Sequence, residues 1–188
     1  MAIEPLNHPL GLRWHTPRQA RLRWRHDIEP ITWQRLLDRG SLTQQVRAQA
    51  QHRFHVELLN QQVARPSPEE AQALGMHRAA GAITREVKLF ADGQPLVFAH
   101  TVIPLSSVHG RYRHLLKLGT RPLGAALFSD PSIVRGPVEL TCLHAGDLLW
   151  PQATAGMPAP DYLWGRRSAF YLAGRPILVS EFFLPNWT

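Results

Sequence analysis

The chain has 188 residues, 44% of them hydrophobic and 19% charged, which is enough for one sizeable core in a single domain. No run approaches the ~18 apolar residues of a membrane span, the stretch MAIEPLNHPLGLRWH lacks the apolar core of a secretion signal, and a single cysteine, Cys142, excludes an internal disulfide and suits a reducing cytoplasm. The net charge of +7 points to an anionic partner: nucleic acid, a membrane surface or a small acidic metabolite.

Much of the excess charge lies in RWHTPRQARLRWRHD, residues 13 to 27. Arginines interleaved with Trp could form a nucleic-acid stripe. No nucleic-acid motif accompanies them, so the plainer reading is a solvated segment whose tryptophans pack back on the domain, with no nucleic-acid partner. ITWQRLLDR (31 to 39) reads as a short helix after Pro30, stopped by Gly40. SLTQ (41 to 44) reads as a capping box that starts a second helix reaching Ala50. The glutamines of that helix leave it few apolar anchors, which argues against a DNA-reading pair.

RFHVELLNQQVA (53 to 64) reads as a strand, and SPEEAQAL (67 to 74) as a short capped helix ended by Gly75. GAITREVKLF and PLVFAHTVI form a hairpin around ADGQ. Residues 107 to 118 read as a helix and LGAALF as a helical turn. IVRGPVELTCLH reads as one strand with Gly136 and Pro137 at a bulge or edge. PQATAGMPAP (151 to 160) reads as a loop, and RSAFYL with PILVSEFFL as a closing hairpin around AGR. Hairpins with segregated helices imply an α+β domain with an antiparallel sheet. No βαβ alternation, phosphate loop or nucleophile elbow is present, and the pairs His52/His55 and His109/His114 are weak metal spacings without Cys or carboxylate partners.

The two hairpins echo each other: REVKLFADGQPLVFAHTVIP begins at Arg85 and RRSAFYLAGRPILVSEFFLP at Arg166. The echo superposes Gly93 on Gly174 and His100 on Glu181, and suggests two related halves of one sheet. Strand parity then singles out two charges. Arg85 shares a face with Ile83, Val87 and Leu89, while Thr84, Glu86 and Lys88 take the other, so the Arg85 face is the expected buried one. Glu181 shares a face with Ile177, Val179 and Phe183. A guanidinium facing a core requires an anion. That anion is either a protein carboxylate, Glu181 being the obvious one, or the carboxylate of a ligand in a small cavity. WGRRS (164 to 168) adds Arg166 and Arg167 on opposite faces, so that at most one of them reaches such a cavity.

TREVKLFADGQPLVFAHTVIP, KLGTRPLGAALF and WGRRSAFYLAGRPILVSEFFLP together resemble the chorismate lyase family, with looser similarity reaching back to SLTQQV. The resemblance implies a six-stranded antiparallel sheet flanked by helices around a buried ligand cavity, in one domain over residues 1–188 with residues 1–29 as an extension. It implies conversion of chorismate to 4-hydroxybenzoate and pyruvate at the head of ubiquinone biosynthesis, by a cytoplasmic monomer that needs no metal or organic cofactor. Arg85 and Glu181 take the catalytic and substrate-binding positions, and Leu42 and Leu123 the apolar ligand contacts. Leu42 stands where family members often carry Met. Whether Glu181 serves as acid or base, or the hydrogen moves within the substrate, stays open at this level. The alternative is a non-catalytic metabolite sensor or carrier related to the effector-binding domain of bacterial transcription regulators.

Overall fold

The computed structural model describes residues 12–187 apart from residue 78. The readings made on residues 1 to 11 therefore lie outside the described residues. In chain order the elements are α1 (Pro17–Arg23), α2 (Pro30–Leu37), α3 (Leu42–Gln49), β1 (Phe54–Ala64), α4 (Pro68–Ala73), β2 (Ala82–Ala91) and β3 (Gln94–Pro104). Two 3-10 segments, Leu105–Ser107 and Gly110–Lys117, lead to α5 (Leu123–Ser129). Then come β4 (Val134–Arg135), β5 (Glu139–His144), α6 (Trp150–Thr154), β6 (Tyr162–Leu172) and β7 (Arg175–Phe183).

All the strands pair antiparallel in one sheet of order β1-β2-β3-β7-β6-β4, with β5 also on β6. Six strands have six or more residues, and the two-residue β4 makes a seventh. The expected single strand over IVRGPVELTCLH is broken at Gly136–Pro137, because proline cannot donate to the ladder. The expected helix over 107 to 118 is 3-10, and the expected loop after Leu149 opens with α6, whose Ala153 is buried in the core. Capping explains the short helices. Thr16 with Gln19 and Ser67 with Glu70 close reciprocal capping boxes, and Ser41 Oγ accepts from the Gln44 amide.

The two echoing hairpins lie side by side through β3 and β7, as halves related by a local two-fold. Their turns match: Asp92 and Gly93 have φ of 49° and 83°, Ala173 and Gly174 of 49° and 80°. Two successive left-handed residues make the hairpin turn whose twist suits the strands. The halves differ by one residue. Leu89 opposes Val97 and Phe90 opposes Pro95, so Leu96 is an extra residue in β3, whereas β6 and β7 run in register from Leu172↔Arg175 to Arg166↔Glu181. A one-residue bulge reverses the facing of everything beyond it. Thr101, not His100, is therefore the structural counterpart of Glu181, and His100 faces the other side of the sheet.

Both faces of the sheet are covered. Glu86 and Lys88, expected on a wet face, are buried as deeply as their neighbours. On this far face a polar row, Glu86–His100–Ser180–Arg167–Glu139, crosses five strands between two apolar clusters. Helix α4 is latched onto it: Glu69 pairs with Arg167, and Glu70 lies 3.0 Å from His100 Nε2, whose Nδ1 is 3.2 Å from Glu86. Arg167 also bonds Glu139 and covers the Trp14 ring. Trp24 is buried edge-on against Trp164, so both N-terminal tryptophans pack inward while the surrounding arginines stay exposed.

Burial opposes the charged form of His100, but hydrogen bonds and charge from Glu70 and Glu86 outweigh it and raise its pKa to about 9. The same contact holds Glu70 low against its own burial. Because the folded histidine binds its proton more tightly than the unfolded one, the latch is at full strength below about pH 6.5 and is lost as pH rises through about 9. The stability gap between wild type and His100→Gln, of up to about 3 kcal/mol near pH 6, is therefore expected to shrink toward pH 9.5 in urea titrations.

Candidate active site

The near face carries two apolar clusters. One joins α2, α3 and the ends of β2, β3, β6 and β7 through Leu36, Leu42, Val46, Leu89, Val97, Trp164 and Phe183. The other joins α5 and the 3-10 segments to Ile83, Ile103, Phe170 and Ile177. A narrow cavity lies at their seam. Leu42 and Thr43 from α3 and Leu123, Gly124, Leu127 and Phe128 from α5 form its roof, with Val87, Leu89, Ala99, Thr101 and Val179 among the floor residues.

Arg85, Glu181, Leu42 and Leu123 all line this cavity, and the first two are its ionisable lining residues. Cross-strand pairing explains the placement, since directly opposed residues share a face. Val87–Ala99–Glu181–Arg166–Leu140 form one near-face row, and Arg85–Thr101–Val179–Ser168 the next. Two strand spacings and one two-residue step set the Arg85 and Glu181 backbones about 12 Å apart. The two charges therefore belong to different regions of the slot.

The expected Arg85–Glu181 ion pair is not formed. Glu181 accepts from Arg166 Nε at 2.8 Å, its direct cross-strand neighbour, one strand away where Arg85 is two. Arg166 is 1% exposed and also donates Nη1 to the carbonyls of Arg35 and Asp38, at 3.0 and 2.6 Å. A cation there complements the carbonyl end of α2. Arg135 lies close by on β4, donating to Ser168 Oγ and to the Arg39 carbonyl. Burial, reinforced by Arg166, lowers its pKa to about 10.

Arg85 is 2% exposed and has no carboxylate partner among the described residues. Its Nη2 donates to the carbonyls of Gly119 and Arg121, at 2.9 and 3.0 Å, and its Nε is buried without any partner. Desolvation lowers its pKa to about 10, so it stays charged at neutral pH. A buried, charged, unsatisfied donor beside an apolar slot is a site for an anion.

Comparisons with known proteins place the chain in a family. The chorismate lyase family model matches residues 17–188. This chain belongs to the chorismate lyase family. Among its relatives, a probable chorismate pyruvate-lyase of Aromatoleum aromaticum is 46% identical over 154 residues, covering 80% of this chain and 83% of that protein. Another, from Azoarcus sp. (strain BH72), is 42% identical over 188 residues, covering 96% and 95%. Among solved structures, the effector domain of PhnF from Mycobacterium smegmatis aligns with a TM-score of 0.57 at 18% identity, over 80% of this chain and 91% of that one. The ligand-binding domain of a GntR-family regulator from Bordetella bronchiseptica aligns at 0.54 and 22% identity, over 72% and 87%. These likenesses establish a shared fold.

Sequence reasoning did not assign Arg166 to Glu181. The parity of WGRRS limited the cavity side to one of its arginines, but pairing required the β6–β7 register. The approach of the two roof helices was also invisible. A Cβ on Gly124 would fall 2.5 Å from Thr43 Oγ1 and 3.6 Å from Ser41 Oγ, so α5 meets α3 through a glycine. In this chorismate lyase family member, Gly124→Ala is expected to cost about 1–3 kcal/mol in thermal or urea unfolding. Removing the obstructing hydroxyl in Thr43→Ala/Gly124→Ala is expected to recover part of that loss, giving a non-additive cycle.

Proposed function

We propose that this chain is a chorismate pyruvate-lyase, which converts chorismate to 4-hydroxybenzoate and pyruvate as the first committed step of ubiquinone biosynthesis. On this reading it acts as a cytoplasmic monomer without metal or organic cofactor. The observation that carries the proposal is Arg85: a buried guanidinium with no carboxylate partner among the described residues, lining an apolar slot that is also lined by Glu181. The family match and the relatives' names support the same reaction.

Chorismate is a dianion on a partly unsaturated ring. The reaction breaks the C3–O bond to the enolpyruvyl group and the C4–H bond, and the C4–H electron pair enters the ring. The ring becomes aromatic, and the released enolpyruvate gains a proton at its methylene carbon to become pyruvate. Aromatisation provides the driving force, so the protein's task is to hold a reactive conformer and manage one proton. Arg85 binds a substrate carboxylate and stabilises negative charge as the ether opens. Glu181 handles the proton at the ring. Leu42 and Leu123 press the ring from the roof and keep water out.

Incubating the purified, metal-free protein with chorismate is expected to release 4-hydroxybenzoate and pyruvate in equal amounts. Binding of chorismate without product would replace the lyase with a sensor or carrier. Arg85→Ala is expected to lose about 2–5 kcal/mol in kcat/KM, the cost of leaving a buried carboxylate unpaired. Near-normal turnover in that variant would remove Arg85 from the mechanism.

A further inference from the structure

Two guanidinium groups, those of Arg166 and Arg135, lie near Glu181 on the near face, and a third, that of Arg85, lines the cavity further off. Arg85 lines the cavity and is free to take a ligand anion. Arg166 does not line the cavity; it stands behind Glu181, fully buried, with Nε on Glu181 Oε2 and Nη1 on two carbonyls at the end of α2. Its Cζ also lies 5.8 Å from the Phe183 ring centre. With its position held from these sides, Arg166 presents one N–H to the carboxylate in a fixed direction. We propose that Arg166 is a positioning residue that fixes Glu181 as a carboxylate facing the cavity, so that Glu181 acts on the ligand as a hydrogen-bond and proton acceptor, not as a proton donor. The proposal rests on the lyase reading for its reaction, but not for its geometry.

The other groups around Glu181 act in the same direction or are silent. From β4, Arg135 adds a second nearby cation. From the α2 end and the residues after it, Arg166 meets backbone carbonyls, while the Asp38 carboxylate is turned to the Gly40 amide and Gln45. Strand β3 offers Ala99 and Thr101, and the lining residues of α3 and α5 carry no ionisable group. An ionised carboxylate bonded to a guanidinium is a poor proton donor and a competent acceptor. In the lyase reaction it accepts the C4 proton as the C3–O bond opens, and it regains its charge by returning that proton to the methylene carbon of enolpyruvate.

The test is the pH profile of kcat/KM for chorismate in wild type, Arg166→Gln, Arg166→Lys and Arg135→Gln. Arg166→Gln is expected to move the acid limb to higher pH, Arg166→Lys to restore it in large part, and Arg135→Gln to move it less in the same direction. A uniform loss of rate with an unmoved acid limb would reduce Arg166 to a structural role and overturn the proposal. If Arg166→Gln does not fold, the Arg135→Gln and Arg166→Lys profiles decide in its place. A second readout is independent of turnover: carbon-13 titration of the glutamate carboxylates, with Glu181→Gln to assign the signal. The Glu181 signal is expected to titrate at higher pH in Arg166→Gln and Arg135→Gln than in wild type, and coincident curves would overturn the proposal. Absence of product from wild type would defeat the lyase reading, while the titration would still decide the role of Arg166.

Discussion

The architecture turns on the position of one guanidinium. Arg85 is buried in the floor of a two-faced sheet, anchored by one nitrogen to two carbonyls of the loop before α5, and has no carboxylate partner among the described residues. Burying a charge in this way is costly unless a partner completes it. On the proposed reading, that partner is the substrate carboxylate in the cavity beside it, where the apolar roof strengthens the attraction by excluding water. Were Arg85 paired internally, the same cavity would hold no charge to select an anion.

The sheet keeps that arginine free by giving Glu181 another partner. Cross-strand pairing on β6–β7 sets Arg166 against Glu181, and β3 stands between Glu181 and β2. The two hairpins resemble each other in turn, length and exit, yet an extra residue at Leu96 changes what each presents. In the second hairpin, Arg166 and Glu181 are paired across the strands, and of the two only Glu181 lines the cavity. In the first, Arg85 faces Thr101, and His100 is sent to the far side, where Glu70 and Glu86 hold it in its charged form. One half supplies a satisfied carboxylate, and the other an unsatisfied cation.

The far face does a different job with the same residue types. Arg167, next to Arg166 in the chain, points the opposite way and ties α4 to the sheet through Glu69 while bonding Glu139. Its charges are paired within the protein, so it is a clamp and not a binding surface. Adjacent arginines thus serve a site and a latch, separated only by strand parity.

Local pattern was enough to place the strands of both hairpins, their turns and the short capped helices, and to single out Arg85 and Glu181, because period-two alternation, turn glycines and capping side chains act over a few residues; Leu42 and Leu123 came only from the family resemblance. The three quoted sequence blocks carried the family resemblance. Partner choice was not local. That Glu181 bonds Arg166 and not Arg85, that the polar side of β2 is buried, and that His100 departs from the echo all depend on strand order, on a bulge and on which helix lies across each face. Those are contacts between residues tens of positions apart. A strand's sequence announces that its two faces differ. Only the packing of other elements against the sheet decides that both are covered, and which buried charge is left for a ligand.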